Sequence, residues 1–498
     1  MPNPSKRIEH SRPIRTIIQF ITTAFVLFFG FSCTVSLDQA SQTQATKPPE
    51  KVVSGGDSRV KVGPPIRISQ ASTVAADRTA RTATVTFNPD DNEYLVVWET
   101  DALTEAKGLT DIYGQRLNGS TGQPIGVSFR ISNLSDGGRD RNSNKPASVY
   151  NSTAHEYLVV WHGSGLVNTN DEISEIYGQR LSRAGKELGN DFRISNTTDL
   201  GKVNNAFVRT STQADLVWNS TNNQYLVVWK GMGQPEDVVK MEIYGQLLKA
   251  NGEALGNDFR ISETTNQGNN FQTNAPAVAY SSSNNQYLVV WSGGFKIESQ
   301  HEVWGRALTD KGTPIGAEFL ISQLSTNVGA NRHADSPDVV YNNTANEYLV
   351  VFQANILAGE AEREVNEVCG QRINAAKLSE VGTNDFRISN STGGNSASSP
   401  RLSYNPIVKQ YCVIWSAIRA NPPFEISGQR LDSEGGEIGG DFQITDVGSL
   451  GKDRSVSNGS IAHNEKNNHF LIVWQGNALP GVANSKINEI FGQQLLSL

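Results

Sequence analysis

Tyr157-Leu158-Val159-Val160-Trp161, then Glu175-Ile176-Tyr177-Gly178-Gln179-Arg180-Leu181, then Asp191-Phe192-Arg193-Ile194-Ser195, is one copy of a pattern that the chain writes seven times. The tryptophan position falls at Trp98, Trp161, Trp229, Trp291, Phe352, Trp415 and Trp474. A period of about sixty residues means one supersecondary unit, copied and packed on itself.

Each unit holds four strand-like runs; in the second these are 146–150 (PASVY), 157–161, 175–181 and 191–195. All are short, rich in β-branched and aromatic residues, and bounded by Asn, Gly, Ser and Asp, the composition of strands and turns. No stretch of a dozen residues carries a helical period. Four strands repeated seven times give an all-β fold, a seven-bladed β-propeller of four-stranded blades. YLVVW is apolar on both faces, which suits a strand sandwiched between two neighbouring blades.

The seventh unit stops at 490–498 (IFGQQLLSL) without its fourth strand, while Val62-Gly63-Pro64-Pro65-Ile66-Arg67-Ile68-Ser69 stands ahead of the first unit. That early segment matches 315–322 (IGAEFLIS), so it is expected to complete the last blade and close the ring. Closure pairs two strand edges that would otherwise be open.

Two further features recur. Glycine sits in every third strand, at Gly114, Gly178, Gly245, Gly305, Gly370, Gly428 and Gly492. Glycine weakens a strand interior, so its recurrence points to close approach of a large side chain, with the YLVVW tryptophan as the candidate. A carboxylate precedes each of these strands, at Asp111, Glu175, Glu242, Glu302, Glu367, Glu425 and Glu489. Equivalent mid-blade positions lie more than a Debye length, ~8 Å, apart, so the seven do not share one ion. Pairing with repeat arginines or capping of loop backbone is the expected role.

The ends speak of export. Lys6, Arg7, Arg12 and Arg15 precede an apolar run from Ile17 to Phe31, the layout of a signal peptide over residues 1–32. The run ends at Gly30-Phe31-Ser32-Cys33, which resembles a bacterial lipobox, although Gly30 stands where that pattern prefers leucine. The resemblance implies lipidation of Cys33 and an anchor at the bacterial envelope, with plain secretion as the alternative. Residues 33–61 are polar and read as a flexible linker with a reach of about 30 Å. The propeller then spans 62–498. The formal charge of −7 gives no basic face for nucleic acid. Cys369 and Cys412 replace apolar repeat residues, so buried thiols are expected, with a disulfide left open.

In such blades the loops after strands two and four share one face, and here those are the long ones, whereas the loops after strands one and three are short. Binding residues concentrate on loops held by a rigid scaffold. Asp77-Arg78, Asp140-Arg141, Asn331-Arg332 and Asp453-Arg454 recur at matching places in the inter-blade loops. Arg78, Arg141, Arg332 and Arg454 are therefore candidate ligand contacts, since guanidinium offers forked donors to carboxylate, phosphate or sugar hydroxyl. The competing reading is that Asp-Arg pairs only fix loop conformation. His333 and Asp335 beside Arg332 form the most chemical-looking local cluster and join the candidates. No nucleophile elbow, metal-binding histidine pair or phosphate loop is present, and no cofactor or metal is implied.

The repeats resemble the LVVW…IYGQR…F segments of bacterial secreted and surface proteins described as propeller-like repeat proteins without an assigned activity. The resemblance covers 62–498 and implies architecture; it transfers no catalytic residue. The expected function is a non-catalytic, envelope-tethered scaffold recognising a glycan or protein through the long-loop face. The alternatives are a carbohydrate-active hydrolase or lyase working at the channel mouth, and a structural part of a surface assembly.

Overall fold

The computed structural model describes residues 60–71, 78–101, 109–133, 142–164, 174–196, 210–232, 241–263, 271–295, 300–323, 333–355, 365–390, 396–418, 424–447, 454–477 and 487–496. The leader, Cys33, most of the expected linker, Arg141 and Arg332 lie outside them.

The described residues form seven antiparallel sheets, six built from consecutive strands and the last from the three C-terminal strands with the N-terminal segment. In blade 1 these are Ala80–Asn88, Glu93–Thr100, Asp111–Asn118 and Pro124–Arg130. The first strands of successive blades are neighbours all the way round, including the first strand of blade 7 against that of blade 1. The molecule is a seven-bladed β-propeller, with the first strands innermost.

YLVVW builds this ring because its two faces serve two different seams. Tyr94, Val96 and Trp98 pack with Leu471, Val473 and Ile490 of blade 7. Leu95 and Val97 pack with Tyr157, Val159, Trp161 and Tyr177 of blade 2. Alternation of side chains along a strand thus makes each second strand the core of two inter-blade layers. Burying one such Leu or Val side chain contributes about 1.5–3 kcal/mol.

Polar residues stitch the same seams. Asn at the end of a first strand turns its amide to the next blade, as in Asn151 to the Tyr225 hydroxyl at 3.0 Å and Asn342 to the Tyr411 hydroxyl at 2.8 Å. The Asp of DFRIS accepts the backbone N–H that follows the previous blade's FRIS, as in Asn133 to Asp191 at 2.8 Å and Asn390 to Asp441 at 2.9 Å.

The ring closes as the repeat requires. Ile66 pairs with Gly492 and Arg67 with Phe491, so the early segment is the fourth strand of the last blade. Lys61 and Val62 extend the pairing to Leu496 and Leu495. Lys61, which its composition groups with the linker, is held by backbone pairing, which any residue type supports.

The recurrent carboxylate is structural glue. Ser69, Ser132, Ser389 and their equivalents donate to it, at 3.0 Å for Ser132 to Asp111 and 2.6 Å for Ser389 to Glu367. Each of these hydroxyls in turn accepts a third-strand N–H, as in Ile112 to Ser132 and Ile490 to Ser69, both 2.8 Å. The FRIS arginine adds an ion pair, as in Arg130 to Asp111 and Arg67 to Glu489, both 2.6 Å. A second set of pairs links the GQR arginine to the residue before YLVVW, as in Arg180 to Glu156 at 2.6 Å.

The glycine reading needs a correction. A Cβ on Gly114 would meet Ile131 at 2.9 Å and Phe129 at 3.1 Å, and on Gly370 it would meet Ile388 and Phe386 at 2.9 Å each. The intruding groups are the Phe and Ile of the fourth strand, not the tryptophan. Trp98 lies opposite Tyr113 in the ladder, and Gly114 is the next residue, so it faces the other side of the sheet. Cys369 and Cys412 are free thiols in the core, and burial pushes Cys412 up to about 12.

Candidate functional site: the mouth of the central channel

Every first strand slips register once near its start, for example between Arg81 and Thr84 and between Thr212 and Asp215. At each slip one non-glycine residue takes a left-handed backbone: Thr82, Lys145, Gln213, Ala275, Ser336, Ser399 and Asn458, with φ from 47° to 57°. Such bulges bend a strand and re-aim its side chains. Each left-handed residue costs on the order of 1–3 kcal/mol and persists only where its surroundings fix it. Here neighbouring blades do so: Lys145 N–H donates to Glu99 at 2.7 Å, Thr82 to Gln475 at 2.8 Å and Ser399 to Gln353 at 2.9 Å.

The seven bulges enclose a cavity of about 370 Å³ on the ring axis, to which every blade contributes. First strands run away from the long loops, so these residues, near the strand starts, sit toward the long-loop end. Immediately after each bulge comes one equivalent position: Thr84, Ala147, Asp215, Ala277, Asp338, Arg401 and Ser460, all lining the cavity. Four are small and neutral; blades 3, 5 and 6 place Asp, Asp and Arg there.

Asp215 Oδ2 accepts the Val278 N–H of blade 4 at 3.0 Å, and Asp338 Oδ2 accepts the Leu402 N–H of blade 6, also at 3.0 Å. By surface area both are half-buried, because the cavity leaves them a wetted side, yet protein surrounds them. Burial, and then the Asp338 charge, push the Asp215 carboxyl up to about 7. Burial also raises Asp338, against the pull of Arg401. Arg401 donates to the Pro400 carbonyl at 2.7 Å.

One layer nearer the long loops, ladder partners Arg81 and Glu99, Asn144 and His162, and Thr212 and Lys230 bring further charge to blades 1 to 3. Burial raises the Glu99 carboxyl. Burial and the Lys145 charge depress His162 to about 4 and lower the Lys230 ammonium. The mouth is therefore two-sided. Cations dominate blades 1 to 3 (Arg81, Lys145 and Lys230 against Glu99), and carboxylates dominate blades 3 to 5 (Asp215, Asp335 and Asp338).

The sequence candidates fall as follows. Arg78 donates to the Asp101 carbonyl at 2.6 Å, and Arg454 to the Asn477 carbonyl. The side chains of Asp101 and Asn477 cap the next N–H, that of Thr79 at 2.9 Å and of Ser455 at 2.7 Å. Asn355 does the same for His333 at 3.0 Å. These contacts tie the two described arginines to the residue that follows the second strand of their own blade. Asp335 pairs with His301 of blade 4 at 3.1 Å rather than with its sequence neighbour His333, and that bond raises the His301 pKa.

Sequence reasoning passed over Asp215, Asp338, Arg401, Lys145 and Lys230. A signal was present: Pro146, Pro276, Pro337 and Pro400 follow the bulge residue. Proline inside a strand marks an edge or a bulge, which here means the channel wall.

No family model and no curated protein sequence matches the chain. Among solved structures, it is similar to a polysaccharide lyase of family PL25, an ulvan lyase, at 10% identity, TM-score 0.52, over 84% of this chain and 94% of that one. It is similar to polysaccharide lyase Uly1 at 9% identity, TM-score 0.50, over 83% and 89%. A GH93 α-L-arabinofuranosidase of Fusarium graminearum also matches, at 13% identity and TM-score 0.45, over 74% and 98%. At these identities the likeness is one of fold.

Proposed function

We propose that the protein is an exported propeller, tethered at the bacterial envelope through Cys33, that recognises a glycan at the long-loop mouth of its channel. The observation that carries the reading is the bulge ring. Seven strained positions converge on one cavity of about 370 Å³, lined by polar and apolar groups alike, a size suited to a small ligand or the end of a larger one. Strain held at one place, with polar groups facing inward, is the pattern of a binding site in a rigid scaffold. That two lyases of polysaccharides share the fold adds weight without assigning a residue. Blade sides offer less for an assembly, because Val127 and Ile407 are the only large apolar residues strongly exposed among the described residues.

Asp215 favours a second reading. A carboxyl held near neutrality beside another carboxyl is what a glycan-cleaving acid or base requires. One experiment separates the two. The protein is placed on an oligosaccharide array and its ligands are then incubated with it in solution. Retention without new reducing ends or unsaturated products supports the scaffold, and cleavage lost in Asp215→Asn supports the enzyme. A blank array removes the glycan reading.

A further inference from the structure

We infer that the glycan is acidic, and that its carboxylate or sulfate seats against Lys145 and Lys230 on the blade 2 and blade 3 wall of the channel mouth. This rests on the glycan reading above and names the ligand's charge and its contacts. Lys145 is the exposed bulge residue of blade 2 and lines the cavity. Lys230 is half-buried on the next blade, level with Thr212 in the ladder and just outside the cavity ring. The two ammonium groups are close enough for one to lower the proton affinity of the other. Lys230 Nζ donates to the neutral Asn274 Oδ1, and no ion pair holds either lysine among the described residues.

The strand arginines of the scaffold are held differently. Arg67, Arg116, Arg130, Arg180, Arg306 and Arg372 each meet a carboxylate within 2.9 Å. The carboxylate beside Lys145, Glu99, already accepts the Lys145 backbone N–H and divides its field between Arg81 and the Lys145 ammonium. Two neighbouring ammonium groups, one of them half-buried and neither in an ion pair among the described residues, are a standing electrostatic cost that an incoming anion relieves. Asp338, on blade 5, repels an anion from that side, and Asp215 lies on blade 3 itself, one layer further from the long loops than Lys230. A bound acidic sugar is thereby oriented, with its charge toward blades 2 and 3 and its hydroxyls toward the carboxyls as donors. Carboxylate and sulfate share this chemistry.

The test is calorimetric titration of the protein with an oligogalacturonate, its fully methyl-esterified counterpart and a sulfated galactan oligosaccharide. We expect one or both acidic probes to bind, and the neutral ester to bind at least about tenfold more weakly, as loss of a charge-assisted contact predicts. Which acidic probe binds identifies the anion. Lys145→Gln and Lys230→Gln each weaken acidic-probe binding by roughly tenfold or more and flatten its salt dependence. Lys230→Gln also keeps or raises the unfolding midpoint of the ligand-free protein, an outcome that a merely structural lysine does not give. Equal binding of ester and acid, or indifference to both substitutions, overturns this inference and leaves the glycan reading standing. Failure of all three probes to bind counts against both.

Discussion

Asp215 and Ser460 occupy equivalent places in their blades and perform the same structural task with different charge. Ser460 Oγ accepts the Val85 N–H at 3.3 Å, as Asp215 Oδ2 accepts the Val278 N–H at 3.0 Å. A neutral acceptor therefore satisfies the inner edge, and the Asp215 charge is surplus to the fold. Its cost has a pH signature. Burial and the Asp338 charge push the folded carboxyl up to about 7 from its ordinary 3.8, so between these the folded state binds more protons than the unfolded state. Stability from this group is then fully present below about pH 4 and is lost as pH rises toward 7. Neutral His162 and His463, both depressed to about 4, act in the opposite sense as pH falls below their usual range, so the comparison with a variant isolates the aspartate. Asp215→Asn keeps the acceptor oxygen. Urea unfolding from pH 4 to 8 should show the wild type losing stability relative to the variant as pH rises, with the gap level above 7. Parallel curves across the range would show that the carboxyl is not perturbed. None of this was legible in the sequence, where Asp215 reads as one more polar residue in a strand.

At the scale of the element, the third strand and the fourth are matched through an absent side chain. On Gly305 a Cβ would lie 2.7 Å from Ile321 Cδ1 and 3.3 Å from Phe319. Gly305→Ala should cost about 1–3 kcal/mol through overpacking. Ile321→Val removes the clashing methyl, so the double variant should lose less than the sum of the two single changes. Denaturant midpoints check both; additive losses would mean that the two residues do not compete for space. The sequence reported that space was needed at this glycine. It did not report whose, because the identity of the intruder depends on which face of the sheet the glycine presents, and that follows from ladder register. The Asp and Ser of DFRIS were equally visible as repeats and equally silent as to partner. The serine binds within its own blade, while the aspartate reaches the blade before.

For the whole molecule, stability hangs on a seam between residues more than four hundred positions apart in the chain, such as Ser69 with Ile490. Ile68 fills the space over Gly492, and Ile68 and Ala71 join the core shared by blades 7 and 1. Replacing residues 60–69 by a Gly-Ser segment of equal length should leave the last blade one strand short and expose its edge. Light scattering should then report self-association, and urea unfolding should lose its single transition. A monomer with unchanged cooperativity would show that the ring does not need its clasp. The same ring explains why the mouth is two-sided: neighbours on the rim are equivalent positions of different repeats, so charge differences that look like drift along the sequence become opposite walls of one cavity.

The sequence by itself determined the number of blades, the four-strand plan and the closing partner, because these depend on periodic burial and on which copy lacks a strand. It also gave the recurring carboxylate and glycine as positions. Only the tertiary structure decided where the channel site stands. Lys145, Lys230, Asp215, Asp338 and Arg401 come from blades 2, 3, 5 and 6 and meet only when the sheets are bent into a circle. Lys145 acts on Lys230, and Asp215 on Asp338 and Arg401, across blade seams, a proximity that chain spacing does not encode.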